Sequence, residues 1–470
     1  MIRGLEKIDS SLYDIRWKNF RCFKDTDWIE LSPITAIIGA NASGKTSLIA
    51  PLLILKQTIE SADSSLALKT QGDMFNAGSF QNLIYSHITT EPLSFSIRHK
   101  NITFDKGKRV GAIGTYAPTD IECEFCCGDT EISPILSKFI AKDMYGRIMM
   151  ERAHLNKGQY SVKGPNMPSK ESDMFKAILA SKPDHFYFDV NTVFMERFKK
   201  AERLDKLSSK KVRKKVISLK IDSAVQNYLS VASYTSSLIQ GLLGAISYIG
   251  PLRERPKRLY EVSGERPGGV GIRGQYAPEI LYRETSSQFI EQVNKWVSTF
   301  EFGFKIACNS LTEGAYNITI QRTKESPNVN IADTGFGLSQ VLPLIIQGLY
   351  SKKKSLIIAE QPEIHLNPRL QAVLADLFCD IASRGVRVLI ETHSEHLILR
   401  LRRLVAEGRV KPNDVSLYYA EKSGDTSIVR RIPILEDGHI EPSGWPRGFF
   451  EDALSESLAL ASAQSKKSPQ

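Results

Sequence analysis

The sequence lacks long apolar runs and is poor in cysteine. No stretch of eighteen consecutive apolar residues occurs in the 470-residue chain, so a transmembrane helix is not expected. The first residues, MIRGLEKIDSSLYD, lack the apolar core of a signal peptide. Of the six cysteines, Cys123, Cys126 and Cys127 cluster, but a zinc site would need a second pair at fixed spacing. These absences predict a cytoplasmic protein whose cysteines are ordinary thiols.

Two catalytic signatures are also missing. Neither H-E-x-x-H nor G-x-S-x-G occurs in the chain. The first places two histidine ligands and a glutamate on one helix face, and the second places a serine nucleophile on a sharp turn. Zinc-protease chemistry and the nucleophile-elbow hydrolases are therefore excluded.

The positive charge of the chain is concentrated in one segment. The chain has 62 basic and 52 acidic residues, a net charge of +10. Residues 197–220 contain eleven Lys or Arg residues and two acids, which is +9. Such a segment is typical of contact with nucleic acid or with an acidic partner, and equally of a solvated helix face.

The hydrophobic pattern divides the chain into three parts. Residues 1–130 read as short strands, one helix and further strands, and form an N-terminal lobe. Residues 131–245 read as mostly helical, carry the basic run and are interpreted as a helical insertion. In residues 246–470 helices alternate with apolar strands, which indicates a mostly parallel sheet and an α/β fold.

The strongest motif follows the apolar strand Ile34–Ile38. It matches the phosphate-binding pattern G-x-x-x-x-G-K-[ST], in which glycines let successive backbone N–H groups face phosphates. The lysine adds a charge at the β- and γ-phosphates, the threonine hydroxyl reaches Mg²⁺, and the following helix contributes its positive end. The residues are Gly39, Ala40, Asn41, Ala42, Ser43, Gly44, Lys45 and Thr46, with Ser47 next in the helix.

Two later strands end in residues that suit phosphate chemistry. The stretch LIIAEQPE ends in Glu360, Gln361 and Glu363, and a carboxylate there can lie beside Mg²⁺ and the attacking water. The next apolar strand ends in ETHS, from which His393 could reach a γ-phosphate. Between the loop and these strands, DTGFGLSQ opens an apolar helix, and such a start can bind an anion or be a simple turn.

The order of these motifs resembles the ABC-type ATPase head, in the group that contains SMC, RecF and OLD-type proteins. NFRCFKD…ITAIIGANASGKT, EQPEIHLNP and ETHSEHL resemble the group's opening, acidic and switch segments. The resemblance covers residues from about 15 to 127 and about 245 to 420. It implies a phosphate-loop fold with a β-rich subdomain and an inserted helical subdomain between the motif halves.

The resemblance also implies roles for single residues, with ATP and Mg²⁺ as cofactors. Glu360 would lie on the magnesium side of the site, and His393 would be the switch histidine. Gln57, on the helix after the loop, is a candidate Q-loop residue. Gly335, Gly337 and Ser339 would form the signature that caps the γ-phosphate of a second copy, so a homodimer or higher homo-oligomer is expected.

Gln361 departs from the group's pattern, which has a catalytic glutamate at this position. A carboxylate can accept a proton from water, whereas an amide can only form a hydrogen bond with it. Three interpretations remain open: Glu363 or Glu391 is the base, hydrolysis is slow and ATP acts as a clamp, or positioning and electrostatics suffice. We favour slow hydrolysis.

Further segments resemble small stand-alone prokaryotic members of this group. They are GDMFNAGSFQNLIY, YIGPLRERPKRLY, DTGFGLSQVLP and HIEPSGWPRGFF. Such ATPases occur in antiphage defence operons of the PARIS and Septu types, so the resemblance implies a sensor ATPase that controls a separate nuclease or toxin. The chain after His393 has no D-x-D pair of the kind found in OLD-type nuclease domains. A RecF-like ATPase that binds DNA through residues 197–220 is the alternative.

Overall fold

The computed structural model describes residues 13–63, 66–99, 118–128, 134–155, 159–165, 223–284, 286–323, 325–334 and 336–440. The strands are β1 Tyr13–Phe20, β2 Phe23–Asp25, β3 Ile29–Leu31, β4 Ile34–Gly39, β5 Leu93–His99, β6 Asp120–Cys127, β7 Pro134–Lys142, β8 Ile148–Leu155, β9 Gln159–Lys163, β10 Ile246–Ile249, β11 Tyr260–Glu261, β12 Lys305–Thr312, β13 Ala315–Gln321, β14 Val329–Asn330, β15 Leu356–Glu360, β16 Arg387–Glu391, β17 Val415–Ser423 and β18 Thr426–Ile432. The α-helices are α1 Lys45–Ile59, α2 Ser223–Gly244, α3 Ala277–Arg283, α4 Ser287–Thr299, α5 Phe336–Tyr350, α6 Pro368–Ser383 and α7 Glu395–Ala406. None of the helices in these described ranges is long and apolar enough to cross a membrane.

The chain divides into two compact units. The antiparallel unit comprises Met1–Glu30 and Ser47–Ala245, and the parallel unit comprises Leu31–Thr46 and Ile246–Gln470. The segment that contains the phosphate loop, residues 39–46, therefore groups with the C-terminal half of the chain. The predicted N-terminal lobe of residues 1–130 does not correspond to either unit.

The antiparallel unit is built on one sheet, which has eight strands in the part of the chain that the structure describes. Their order is β2-β1-β5-β6-β7-β8-β9, and β3 pairs with β1. Alternation along β6 buries Ile121, Cys123 and Phe125 on one face. Trp17 packs edge-on against Phe95 with ring centroids 5.5 Å apart, so aromatic side chains form the centre of this core.

The predicted helical character of residues 131–245 is wrong for its first part. β7, β8 and β9 continue the antiparallel sheet directly from β6. The predicted boundary at residue 130 therefore falls between two paired strands. In β7, PILSKFIAK, the alternation is broken by the run FIA, and this disguised the strand pattern. Helix α2 lies in this segment, and the basic run 197–220 lies outside the described residues.

The parallel unit is built around a sheet of six strands among the residues described. Their order is β10-β15-β16-β4-β17-β18, with β10 to β17 mutually parallel and β18 an antiparallel edge. All residues of β4, β15 and β16 are buried, as expected for parallel strands covered on both faces. Because parallel strands end at one edge, the segments after β4, β15 and β16 share that edge.

A second, antiparallel sheet lies in the same unit. Its described strands run β11-β13-β12, with β14 on β13. Helices α6 and α7, which follow β15 and β16, have clear N-caps. The side chain of Asn367 accepts a hydrogen bond from the backbone N–H of Leu370 at 3.0 Å, and Ser394 accepts one from Leu397 at 3.1 Å. These caps fix where the chain leaves the sheet edge.

Candidate nucleotide-binding site

The phosphate loop connects β4 to α1 and requires glycine at its first position. Gly39 has φ +151° and Gly44 has φ +102°, conformations that other residues rarely adopt. A Cβ atom on Gly39 would lie 2.3 Å from the carbonyl oxygen of Ala420 on β17. The loop backbone is therefore packed closely against the neighbouring strand. Helix α1 begins at Lys45 and runs for fifteen residues, so its N-terminus lies at the end of the loop.

The Lys45 ammonium is folded inside this loop. Its Nζ donates to the carbonyl oxygens of Gly39 at 3.0 Å and Ala40 at 2.7 Å, and the residue is 4% exposed. Burial lowers the pKa of Lys45, while the carboxyl groups of Glu391 and Glu363 raise it. A buried cation with two neutral acceptors is suited to bind a phosphate oxygen.

Ser43 supports the fit of a phosphate in the loop. Its hydroxyl is buried and makes no hydrogen bond to any residue that the structure describes. A buried hydroxyl without a partner is uncommon, because it loses its bonds to water. A phosphate oxygen in the loop would supply a partner. The other predicted loop residues, Ala40, Asn41 and Ala42, form the exposed turn, where Ala42 has φ +59°.

The acid that contacts Thr46 is Glu391, at the end of β16. The Thr46 hydroxyl lies 3.1 Å from Oε1 and 3.0 Å from Oε2 of Glu391. Burial raises the pKa of Glu391, whereas the Thr46 hydrogen bond and Lys45 lower it. β16 lies between β4 and β15, so Glu391 is next to the loop strand. The sequence had indicated Glu360 for the magnesium side and considered Glu391 only as a base.

Glu360 lies beside Glu391 across the β15–β16 pair. Its side chain is buried, and its Oε1 makes no hydrogen bond with the described residues. Burial, helped by the charge of Glu391, raises the pKa of Glu360 to about 7, while Tyr248 and Arg253 act in the opposite direction. A bound cation would stabilise two adjacent buried carboxylates, so Glu360 and Glu391 suit a cation site.

The turns that follow β15 and β16 are tied together by two hydrogen bonds. The backbone N–H of His393 donates to Oε1 of Glu363 at 2.7 Å, and that of Gln361 donates to the carbonyl oxygen of Glu391 at 2.8 Å. Gln361 adopts φ +42°, a backbone conformation that residues other than glycine rarely adopt. The structure therefore brings Gln361, Glu363 and His393 together at one edge of the sheet.

The His393 ring and the Glu363 carboxyl group both have shifted pKa values. Burial and the nearby charge of Lys45 lower the pKa of His393, so the ring is neutral at pH 7. Burial raises the pKa of Glu363, against the His393 N–H and other hydrogen bonds that lower it. A neutral imidazole can donate one hydrogen bond and accept another.

The predicted signature is only partly described. Gly335 lies outside the described residues, whereas Gly337 and Ser339 lie in the first turn of α5. Ser339 is 6% exposed and lines a cavity of about 40 Å³ together with Arg255, Tyr260 and Pro343. A Cβ atom on Gly337 would be 3.5 Å from the Phe302 ring. The role of this helix start toward a second copy remains a prediction.

Gln57 and Ser47 lie in α1, and both are nearly buried. The Gln57 amide donates to the carbonyl oxygens of Lys69 at 2.7 Å and Phe75 at 3.0 Å, and its oxygen accepts the N–H of Phe75 at 3.2 Å. These bonds fix the chain between residues 69 and 75. The role of Gln57 as a Q-loop residue toward magnesium stays a prediction.

The residues around Thr46 fit magnesium held jointly with a nucleotide. Within the described ranges, no group of three His, Cys, Asp or Glu side chains could hold a metal ion alone. Mg²⁺ in nucleotide sites is usually bound through one or two protein ligands, with phosphate oxygens and water completing the octahedron. The Thr46 hydroxyl with Glu391 and Glu360 supplies such a partial set.

A phosphate loop on a buried parallel sheet, facing acids on the neighbouring strands, defines a phosphate-loop ATPase fold. Residues 12–398 match the family described as AAA ATPase domain, and the chain belongs to this family. Residues 410–460 match a family described as protein of unknown function (DUF3696). No curated protein matches the chain. The predicted α/β phosphate-loop fold is thereby confirmed, and the chain carries an ATPase domain.

Several solved structures of SMC head domains are similar in outline. The head domain from Thermotoga maritima is 12% identical with a TM-score of 0.36, and the match covers 90% of this chain and 99% of that one. The Pyrococcus furiosus head domain bound to the C-terminal domain of ScpA is 13% identical with a TM-score of 0.37, covering 95% and 98%. An SMC head bound to the C-winged helix domain of ScpA is 12% identical with a TM-score of 0.40, covering 94% and 98%.

Proposed function

We propose that this protein is an ATP-driven switch that binds Mg-ATP at residues 39–46 and hydrolyses it slowly. One observation carries the proposal. The Thr46 hydroxyl donates to Glu391, whose charge also acts on the Lys45 ammonium, and Glu360 lies opposite Glu391 on the adjacent strand. Cations and hydroxyl donors for phosphate thus lie next to a cluster of buried acids, which is the arrangement that phosphoryl transfer requires.

Each residue has a defined task in this site. Lys45 and the loop N–H groups hold the β- and γ-phosphates, and Thr46 with Glu391 and Glu360 holds magnesium. The magnesium ion neutralises charge on the phosphates when it is bound. Gln361 orients the attacking water through its amide, and Glu363 is the nearest group on the same turn able to accept its proton. Hydrolysis is slow because an amide replaces the usual carboxylate beside the water.

The switch works through two copies of the chain. In the resembling group, ATP lies between two heads, and the signature of one head caps the γ-phosphate bound by the other. Here that signature would be Gly335, Gly337 and Ser339, of which Gly337 and Ser339 lie in the first turn of α5. ATP binding then closes the homo-oligomer and hydrolysis reopens it, because only the closed state contacts the γ-phosphate.

The output of the switch is control of a separate effector. The resemblance to stand-alone ATPases of antiphage operons supports a cytoplasmic sensor that holds a nuclease or toxin and releases it on infection. The RecF-like alternative is favoured by the +9 charge of residues 197–220, which suits a phosphate backbone.

The ATPase proposal is tested by phosphate release and light scattering with and without Mg-ATP. Wild type should release phosphate slowly and increase in mass with Mg-ATP. Lys45→Ala should do neither, because the charge at the phosphates is lost. Lys353→Ala removes an exposed lysine and is the matched control. A wild-type protein without turnover and without a nucleotide-dependent mass change would refute the switch.

Control of an effector and DNA binding are distinguished by one variant. It reverses the charge of Lys210, Lys211, Lys214 and Lys215. If the basic run binds DNA, wild-type affinity for duplex DNA falls steeply with salt and the reversed variant loses it. If the run contacts an effector, the reversed variant loses co-purification of that effector from the native host and keeps its ATPase activity. DNA binding with a steep salt dependence and no co-purified effector would favour the RecF-like function.

A further inference from the structure

Arg253, on the segment that follows β10, is a buried cation next to the acidic cluster. It is 8% exposed, and its Nη1 donates to the carbonyl oxygens of Pro251 at 2.9 Å and Glu360 at 3.3 Å. Burial lowers the pKa of Arg253 to about 10, while Glu363, Tyr248 and Glu360 raise it. The guanidinium is therefore charged at neutral pH although it is almost completely removed from water.

The hydrogen-bonding capacity of Arg253 is only partly used. Its Nε and Nη2 groups make no hydrogen bond to the residues that the structure describes. The same holds for one carboxyl oxygen of Glu360 and one of Glu363. Leaving the hydrogen bonds of a buried charged group unmade costs stability. Several such groups side by side therefore indicate a functional site.

The strand order places Arg253 away from the phosphates. Along the sheet edge, Arg253 follows β10, Glu360 ends β15, Glu391 ends β16, and the phosphate loop follows β4. Two strands separate Arg253 from the loop, where Lys45 already supplies a cation. The guanidinium therefore acts on the acids and on the backbone of the turn after β15.

The turn after β15 carries Gln361 and Glu363, the groups that the proposed function assigns to the attacking water. Arg253 holds the Glu360 carbonyl at its start, and Glu363 further along accepts the His393 N–H at 2.7 Å. The carboxyl group of Glu363 is the acid that most strongly raises the Arg253 pKa, so the two charges attract. Arg253 thus donates a hydrogen bond to Glu360 and attracts the charge of Glu363. Together these two interactions hold the residues between them, including Gln361.

We propose that Arg253 is a positioning residue of the ATPase site, which holds Glu360, Gln361 and Glu363 in the geometry needed for hydrolysis. This rests on the proposed ATPase function and adds a residue to that site. The segment YIGPLRERPKRLY contains Arg253, but no role could be assigned to it from the sequence, because it lies about one hundred residues before the acidic strand and beside several other arginines. Arg253 is expected to affect the rate of ATP hydrolysis and not the affinity for the nucleotide.

The test compares Arg253→Gln, Arg253→Lys and the control Arg273→Gln. Arg273 is an exposed arginine in the same connecting segment. For each variant we would measure the thermal unfolding midpoint, the affinities for ATP and ADP, and kcat and KM for phosphate release. Arg253→Gln should lower kcat at least about tenfold with ATP and ADP affinities within about twofold of wild type. Arg253→Lys should recover part of kcat, and Arg273→Gln should match wild type.

Two results would overturn the proposal. A wild-type kcat in Arg253→Gln would show that the guanidinium does not position the acids. A parallel fall in ATP affinity, ADP affinity and unfolding midpoint would show a purely structural role. If Arg253→Gln fails to fold, Arg253→Lys answers the same question, because it keeps the charge and loses the planar fork. Absence of turnover in wild type would instead refute the ATPase function itself.

Discussion

The two units of this protein place most of their charged side chains differently, although the antiparallel unit also buries single charged residues such as Arg152 and Glu151. In the antiparallel unit, opposite charges pair at partly exposed positions, as in Arg16–Asp25 at 2.5 Å and Arg98–Asp120 at 3.1 Å. In the parallel unit, five charged residues near the phosphate loop are each at most 8% exposed: Lys45, Arg253, Glu360, Glu363 and Glu391. Several of their polar atoms make no hydrogen bond within the described residues.

The difference follows from the two kinds of sheet. An antiparallel sheet with one solvated face can place a charge at every second residue without burying it. A parallel sheet covered on both faces can carry charge only where its strands end. Burying charge is costly, so charges that stay at such an edge indicate a site with a ligand or a reaction. The comparison therefore locates the chemistry in the parallel unit, and each prediction below tests it.

The largest expected effect comes from a matched pair of Glu→Gln changes. Glu391→Gln removes the charge beside Thr46 and should lower ATP turnover about 10³-fold, or about 4 kcal/mol of transition-state stabilisation. Glu151→Gln, on β8 of the antiparallel unit, removes a carboxylate that pairs with Lys163 and is 9% exposed. Turnover in that variant should equal wild type. Steady-state phosphate release at saturating Mg-ATP measures both.

Magnesium titrations sharpen the first comparison. If Glu391 helps to hold magnesium, Glu391→Gln needs more Mg²⁺ for half-maximal turnover, while Glu151→Gln does not. Equal losses of turnover in both variants would mean that buried acids in either unit support the fold alone. The distinction between the two units would then have no functional meaning.

The second prediction concerns pH and stability without nucleotide or magnesium. The pKa of Glu360 rises from 4.5 to about 7, so the folded protein binds this proton more tightly than the unfolded chain. The resulting stabilisation is complete below about pH 4.5 and is lost as the pH rises through about 7. It amounts to about 3 kcal/mol at 1.36 kcal/mol per pKa unit. Urea unfolding between pH 5 and pH 8.5 should show this fall, and Glu360→Gln should reduce it, while the raised pKa values of Glu363 and Glu391 leave a smaller slope.

In the antiparallel unit, the pKa of Asp143 is shifted in the opposite direction to that of Glu360. Burial opposes ionisation of Asp143, but hydrogen bonds from Arg147 and Tyr145 outweigh it and lower the pKa of the carboxyl group. Its stabilisation is therefore present above its ordinary value of 3.8 and is lost as the pH falls below it. Asp143→Asn should reduce stability at neutral pH and leave the slope between pH 5 and pH 8.5 unchanged. A flattened slope in Asp143→Asn would contradict the assignment to Glu360.

The third prediction tests the amide at the water position. Gln361→Glu introduces a group that can accept a proton and should raise turnover about tenfold, which is about 1.4 kcal/mol. Glu363→Gln serves as the counterpart on the same turn. If turnover in Glu363→Gln equals wild type, Glu363 is not the base. Slow hydrolysis in wild type would then depend on positioning alone. A fall in turnover in Gln361→Glu would mean that a fourth carboxylate beside Glu360, Glu363 and Glu391 repels the phosphates more than it helps the water.

Local patterns in the sequence were sufficient to predict the phosphate loop, the buried strands and their parallel arrangement. Gly39 to Thr46 follow a fixed spacing, and the apolar runs of β15 and β16 admit few other structures. The residues that meet across the sheet were harder to predict. Glu391 reaches Thr46 because β16 lies between β4 and β15, and chain spacing carries no information on strand order.

The strands β7 to β9 were missed for a different reason. In IMMERAHL of β8, apolar residues do not alternate strictly, since Arg152 and Glu151 are buried along with Met150. Arg152 stacks over the Tyr160 ring at 4.5 Å, which accommodates a charge in the core. Mixed charge of this kind was interpreted as a helix. The segment is a set of strands because β7 pairs with β6, and β8 pairs with β7 and β9.

The smallest expected effect is that of Arg98→Gln in the antiparallel unit. Arg98 on β5 lies directly opposite Asp120 on β6, and its guanidinium lies 4.0 Å from the centre of the Trp28 ring. The pair is partly exposed, at 38% and 25%, so water screens it and its removal should cost less than about 1 kcal/mol of unfolding free energy. A double-mutant cycle with Asp120→Asn, at low and high salt, measures the coupling, and turnover should stay at the wild-type value. A coupling above about 2 kcal/mol, or a change in turnover, would show that charges of the antiparallel unit contribute as much as those at the parallel sheet edge.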